Sequence, residues 1–184
     1  MSKPVSSQTV FSGQIIEVAL EQHDLPNGRR SQFEIVHHPG GAAVLPVLED
    51  GRLLLIRQYR VAVGAMIYEI PAGRLEPNES PRQCVARELA EETGYEADAI
   101  EALGGCWSTA GFCDEYIHLF LANELRPVPQ ALEPDEIIEL CPLSVEEAMA
   151  LLDQGAIADS KTQLALLLYQ QRLLEAQRLE ERGA

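Results

Sequence analysis

No stretch of this sequence stays apolar for long enough to cross a bilayer, which removes a helical membrane span from consideration. The first ten residues, MSKPVSSQTV, have no apolar segment of the kind that marks a secretory signal. The four cysteines, Cys84, Cys106, Cys113 and Cys141, show no Cys-x-x-Cys spacing, so neither a zinc motif nor a dithiol redox motif is supported. Reduced thiols in a cytoplasmic protein are the expectation that follows. Basic residues are also scarce: 14 Lys and Arg stand against 29 Asp and Glu, for a net charge of −15. A chain so acidic has no obvious face for a nucleic-acid backbone. Repeats and low-complexity tracts are missing too, which argues against a solenoid or a disordered linker.

What remains is 184 residues with a 46% hydrophobic share, the profile of one globular domain with a proper core. Most of the acidity needs no explanation beyond solubility. Clustering says more than the total, because carboxylates gathered to hold divalent cations bind phosphates only once metal has reversed the local field.

The first half of the chain reads as strands. Residues 12–24 and 31–38 flank Pro26-Asn27-Gly28, a turn sequence that predicts an N-terminal β-hairpin. Ala42 to Leu48 and Arg52 to Tyr59 are short apolar runs separated by Glu49-Asp50-Gly51, and Met66 to Ile70 is a further strand ended by Pro71-Ala72-Gly73. A helix follows. Ser80 is its N-cap, Pro81 suits the first helical position, Gln83 completes a capping box, and Gly94 is placed to end it. Strands are expected over 99–107, 115–123 and 136–141, with a Pro-containing loop over 126–134. Ser144 and Glu147 form a second capping box, and a last, Leu-rich helix starts near Asp159 or Ser160 and is expected to pack into the core. Strands with helices before, between and after them predict an α/β sandwich of one domain.

On a helix turning about 100° per residue, Val85, Ala86, Leu89, Ala90 and Thr93 fall on one side and Glu88, Glu91 and Glu92 on another. Like charges at that spacing destabilise an isolated helix by roughly 0.2–0.5 kcal/mol per pair, so the arrangement invites a cation. Hard divalent ions with oxygen ligands fit it. A solvated acidic face is the plain alternative, and a bare Glu-x-x-Glu-Glu does not exclude it.

The surrounding spacing decides between them. Gly73, Glu79, Arg87, Glu88, Leu89, Glu91, Glu92, Gly94 and Tyr95 resemble the Nudix box, G-x5-E-x7-R-E-U-x-E-E-x-G-U, with every fixed position matched and an aromatic Tyr95 at the last apolar one. The resemblance implies a Nudix α/β/α sandwich with a mixed sheet over residues 41–184. It also implies N-terminal strands over 1–40 that act in dimerisation or as a substrate clamp. Further, it implies that Glu88, Glu91, Glu92 and the backbone carbonyl of Ala72 ligate Mg²⁺ (or Mn²⁺). Arg87 would orient the carboxylates and Glu79 would support them. The implied reaction is substitution by water at phosphorus, cleaving a nucleoside diphosphate linked to another group.

Other phrases are similar to the ADP-ribose pyrophosphatase branch: Gln58-Tyr59-Arg60, Glu69-Ile70-Pro71-Ala72-Gly73, Gly111-Phe112-Cys113-Asp114-Glu115 and Asp159-Ser160-Lys161-Thr162. They imply Arg60 as a phosphate contact, Glu69 as a contact to substrate or its metal shell, and Arg57 as a weaker candidate for the same work. The branch takes its general base from a mobile loop, for which Glu133 is the first candidate here and Glu136 the second. Phe33, with Arg29 and Arg30, belongs to the expected clamp of a homodimer. Ala110 stands where ADP-ribose-specific members carry proline, which keeps GDP-mannose and other nucleoside diphosphate sugars open as substrates, and a nucleotide-sensing module that does not cleave is the non-enzymatic alternative. Trp107 is read as core or pocket wall. His37, His38 and His118 are strand residues with no partner evident from sequence.

Overall fold

The computed structural model describes residues 3–183. Three strands come first: β1 (Ser6–Ser12), β2 (Glu17–Asp24) and β3 (Arg30–His37), paired antiparallel in that order. The turn between β2 and β3 is the expected one. Gly28 lies in the left-handed region at φ 79°, its N–H donating to the Leu25 carbonyl at 2.9 Å. The hairpin expected from the sequence is therefore extended to a three-stranded sheet. β1 escapes a periodicity reading because all seven of its residues are exposed and no apolar alternation marks it.

The rest of the chain builds two sheets and three helices. β4 (Gly41–Pro46), β7 (Ala72–Arg74), β8 (Tyr95–Trp107) and β9 (Tyr116–Pro127) form a mixed sheet in the order β7-β4-β9-β8, with β4 and β9 parallel. β5 (Leu53–Arg60), β6 (Ala65–Glu69) and β10 (Ile138–Leu143) form an antiparallel one in the order β10-β5-β6. The helices are α1 (Pro81–Thr93), α2 (Val145–Asp153) and α3 (Ser160–Gly183). Pro142 sits within β10 because that strand is at a sheet edge, where a missing N–H costs no ladder bond.

β4 shows how the layers are held. Its six residues are all buried, since both faces are covered. Ala42 and Val44 pack with Cys84, Val85 and Leu89 of α1, whereas Ala43 and Leu45 join Leu53 and Leu55 of β5, Leu119 of β9 and Leu166 of α3 in a second cluster. This is the α/β/α sandwich expected from the sequence. α3 contributes Ala165 and Leu166 to the core, while Leu167, Leu174 and Leu179 are exposed.

Both capping boxes form as expected, at Ser80 with Gln83 and at Ser144 with Glu147, and Gly94 closes α1 in the left-handed conformation at φ 72°. The faces of α1 differ from expectation. Ala86 is exposed, and the buried set is Cys84, Val85, Glu88, Leu89, Glu92 and Thr93. Two carboxylates thus lie on the inward side, because α1 leans over the point where the chain passes from one sheet to the other.

That crossing runs through Ile70 and Pro71. β6 ends at Glu69 in the antiparallel sheet, and β7 begins at Ala72 in the mixed one. The sequence presents Pro71-Ala72-Gly73 as a strand terminator, but Ala72–Arg74 pairs with β4 as a three-residue strand. Replacing Leu45 by Ala should lower the unfolding free energy by about 2–5 kcal/mol, measured by urea titration. Ala86→Gln, at the exposed position, should stay within about 0.5 kcal/mol of the parent.

Candidate active site

α1 projects its carboxylates at the chain crossing. Glu92 is 1% exposed and accepts a hydrogen bond from the Ala72 N–H at 3.0 Å, which fastens the backbone of Ala72 against it. Glu88, 8% exposed, lies against Gly73. A Cβ built at Gly73 would fall 1.6 Å from Glu88 Oε1, so only glycine leaves room for that carboxylate. Glu91 is the outermost of the three.

Arg87 organises the outer half of the cluster. Its guanidinium donates to Glu79 Oε1 at 2.9 Å and Oε2 at 3.1 Å, to Glu88 Oε1 at 2.7 Å and to Glu91 Oε2 at 3.0 Å. Glu79 also accepts the Glu76 N–H at 3.0 Å, so the turn before α1 is tied to the helix. Arg87 and Glu79, expected to orient and to support the carboxylates, are thus bonded to each other, with Arg87 also bonded to Glu88 and Glu91. In this arrangement Glu88 and Glu91 are turned onto Arg87, and among the described residues no three His, Cys, Asp or Glu side chains converge as a finished metal shell.

The electrostatics nonetheless suit a cation. Burial, reinforced by the Glu88 and Glu136 charges, pushes the Glu92 carboxyl up to about 8. Burial also raises Glu88, against the pull of Arg87. The Cys84 thiol, buried beside Glu79 and Glu88, is pushed up to about 12 and is no nucleophile at neutral pH. Two carboxylates held in a low-dielectric position, with a Cβ-free cradle at Gly73 and, among the described residues, no side-chain cation bonded to Glu92, are a donor set of hard oxygens to which a divalent ion is matched.

A second cluster meets the first at the crossing. Glu69, 1% exposed, accepts a bidentate pair from Arg60, Nε at 2.6 Å and Nη2 at 2.8 Å. Its Oε2 also accepts from Lys161 Nζ, which donates to Asp159 at 2.9 Å as well. Asp159 caps the start of α3, accepting the Thr162 N–H at 3.0 Å and the Thr162 hydroxyl at 2.6 Å, and that hydroxyl accepts the Ile70 N–H at 2.9 Å. Arg60 feels the charges of Glu92 and Asp159 beyond Glu69, so the two clusters share one field. In the sequence Lys161 stands only within the phrase Asp159-Ser160-Lys161-Thr162, which gives no sign of its pairing with Glu69.

Other expected residues fall variously. Arg57 alternates with Arg60 on β5 and is not brought to the site, since it pairs with Glu139 at 3.1 Å and lies over the Tyr68 ring at 5.5 Å. In the loop before β10, Glu136 lies close enough for its charge to raise both Glu88 and Glu92, whereas Glu133 is exposed and its N–H donates to the Glu136 carboxylate at 2.8 Å. Phe33 stays on β3 in edge contact with His23. Trp107, 48% exposed, lies outside the core and packs edge-on against Tyr116. His37 has partners the sequence did not reveal. Its Nδ1 is 2.6 Å from Asp114 and its Nε2 is 3.3 Å from Glu21, and the Asp114 carboxylate raises its pKa.

Comparison with known proteins places this geometry. The NUDIX domain profile matches residues 37–166. The chain belongs to the NUDIX family. An ADP-ribose pyrophosphatase of Bacillus subtilis is 38% identical over 179 residues, covering 96% of this chain and 97% of that protein. A methanol dehydrogenase activator of Bacillus methanolicus is 39% identical over 89% of this chain and 90% of its own. A GDP-mannose pyrophosphatase of Yersinia enterocolitica is 34% identical over 75% of this chain and 76% of its own. Among solved structures, an ADP compounds hydrolase superposes with a TM-score of 0.81 over 95% of both chains at 21% identity, a likeness of fold. With its box complete, the chain is a Nudix pyrophosphohydrolase.

The raised Glu92 carboxyl carries a linkage prediction. Its folded pKa, about 8, lies above the ordinary 4.5, so its contribution to stability is full below about pH 4.5 and is lost as pH rises through 8. In metal-free buffer, the stability of the parent relative to Glu92→Gln should therefore fall by a few kcal/mol between pH 5 and pH 8.5. Urea unfolding of both proteins with a chelator present checks this, and parallel pH profiles would show that Glu92 titrates normally.

Proposed function

We propose that the protein hydrolyses the pyrophosphate linkage of ADP-ribose, releasing AMP and ribose 5-phosphate with the aid of a divalent cation. The observation that carries the reading is the inward carboxylate pair Glu88 and Glu92 at the Ala72-Gly73 cradle, backed by Glu91. Relatives from Bacillus subtilis and Mycobacterium tuberculosis that bear the name ADP-ribose pyrophosphatase support the choice of substrate.

Glu88, Glu91, Glu92 and the Ala72 carbonyl would hold Mg²⁺, with Mn²⁺ as a substitute. When bound, the ion neutralises diphosphate charge, acidifies the attacking water and stabilises the departing phosphate. Arg87 keeps Glu88 and Glu91 in reach and Glu79 holds Arg87. Arg60 binds a phosphate oxygen through the edge of its guanidinium that Glu69 leaves free. The general base comes from the loop before β10. Its proximity to Glu88 and Glu92 puts Glu136 ahead of Glu133, reversing the order expected from the sequence. A base on a loop can approach the water when the substrate is seated and withdraw for release.

The N-terminal sheet would complete the assembly. Val10, Phe11, Ile15 and Phe33 are exposed on it, a surface suited to a second copy of the chain in a cytoplasmic homodimer. GDP-mannose is the second reading. It rests on the relatives from Yersinia and on Ala110, which leaves the turn at Ser108-Thr109-Ala110-Gly111 without a proline's fixed φ.

Steady-state assays with Mg²⁺ on ADP-ribose, ADP-glucose, GDP-mannose, NADH and diadenosine polyphosphates test the reading. ADP-ribose is expected to give the highest kcat/KM, and turnover of GDP-mannose alone would transfer the assignment to the second reading. Glu92→Gln should lose ~10²-fold or more in kcat while keeping its fold. Near-parent kcat at saturating Mg²⁺ would remove Glu92 from the metal site.

A further inference from the structure

The network joining Arg60 to α3 is closed on itself. Arg60 grips Glu69, Glu69 is shared with Lys161, Lys161 with Asp159, and Asp159 with Thr162, whose hydroxyl takes the N–H of Ile70, the neighbour of Glu69. Every link except Arg60 is buried or nearly so: the side chains of Glu69, Lys161 and Asp159 are 1%, 10% and 16% exposed, against 39% for Arg60. Lys161 and Glu69 lie 92 positions apart in sequence. A lysine this buried, with both partners charged, is not a surface ion pair; removing it leaves an uncompensated carboxylate in the interior.

The charges in the ring are Arg60, Lys161, Glu69 and Asp159, two of each sign. They cancel locally, beside the three carboxylates of α1 and Glu136. Arg60 spends Nε and Nη2 on Glu69, and its Nη1 has no protein acceptor among the described residues. Lys161 takes part of the Glu69 charge that would otherwise bind Arg60 more tightly. It also fixes the Glu69 carboxylate so that the guanidinium plane is set in one orientation.

We infer that Lys161 is a positioning residue that, through the shared carboxylate of Glu69, holds the free edge of Arg60 ready for the phosphates of the substrate. The inference rests on the reading of Arg60 as a phosphate contact. Lys161 itself need touch neither substrate nor metal. Without its charge, the neighbourhood of Arg60 gains one negative charge, and Glu69 competes with the phosphates for the guanidinium. Both effects weaken binding of an anionic substrate more than they slow its chemistry.

The test is a double-mutant cycle with ADP-ribose and saturating Mg²⁺, using Lys161→Met, Arg60→Ala and the pair together, with Lys161→Arg as the charge-retaining control. Lys161→Met should raise KM ~10-fold or more with kcat within about threefold of the parent. Lys161→Arg should restore most of the KM, and in the Arg60→Ala background Lys161→Met should add little. A folded Lys161→Met with parent KM would overturn the inference, as would effects of the two positions that multiply independently, or an equal KM rise in the Met and Arg variants, which would mark a packing role. If Arg60→Ala alone leaves KM unchanged, the phosphate-contact reading fails, and the inference with it. Should Lys161→Met fail to fold, Glu69→Gln/Lys161→Met removes both charges and avoids the buried orphan. With no Glu69 carboxylate left to compete for Arg60, the KM of this double variant is expected to stay within about threefold of that of Glu69→Gln alone, and a KM ~10-fold above that of Glu69→Gln would overturn the inference.

Discussion

Burying Glu92 completely and Glu88 almost completely on one helix is the constraint on which the rest of this structure depends. An isolated α1 would turn all three carboxylates to water, and in the folded chain two of them face the point where β6 passes into β7. Glycine at position 73 gives Glu88 its space, the Ala72 N–H gives Glu92 one hydrogen bond, and Arg87 places its guanidinium within the cluster. What is left over is negative charge in a low-dielectric pocket. A protonated carboxyl or a bound cation relieves it, and the second agrees with the divalent-cation chemistry general among Nudix hydrolases.

The two sheets serve this arrangement. β4 carries apolar side chains on both faces so that α1 and α3 can approach from opposite sides, and the Ile70-Pro71 crossing puts Glu69 and Ala72 within three residues of each other in different sheets. The charge-balanced cluster of Arg60, Lys161, Glu69 and Asp159 and the anionic cluster of Glu88, Glu91 and Glu92 are thereby built from separate layers of the sandwich and meet at one seam. In the proposed reaction the carboxylates would hold the cation and the guanidinium would meet phosphate oxygens that the cation does not cover.

Much of this was legible in the sequence, and the reason is locality. The caps of α1 and α2, the Pro26-Asn27-Gly28 turn and the spacing from Gly73 to Tyr95 are written in contiguous residues, so propensity and periodicity suffice to read them. The inward rotation of Glu88 and Glu92, with Ala86 left outside, could not be read that way, because a hydrophobic stripe sorts charged residues to the solvent by rule. β1 has no apolar alternation, and β7, at three residues, is too short to show one. Glu69, one partner of Lys161, and Asp114, one partner of His37, lie 92 and 77 positions away, separations at which a single sequence carries no pairing signal. Arg57 and Arg60 looked alike as strand-end charges until the alternation of β5 sent one to Glu139 and the other to Glu69.

Diffraction from crystals soaked in Mn²⁺, with data collected at the manganese edge, tests the central claim most directly. The account predicts an anomalous peak bounded by Glu88, Glu91, Glu92 and the Ala72 carbonyl, with Glu88 and Glu91 swung away from Arg87 toward the ion. A peak elsewhere on this acidic surface, or none at concentrations that support turnover, would contradict it.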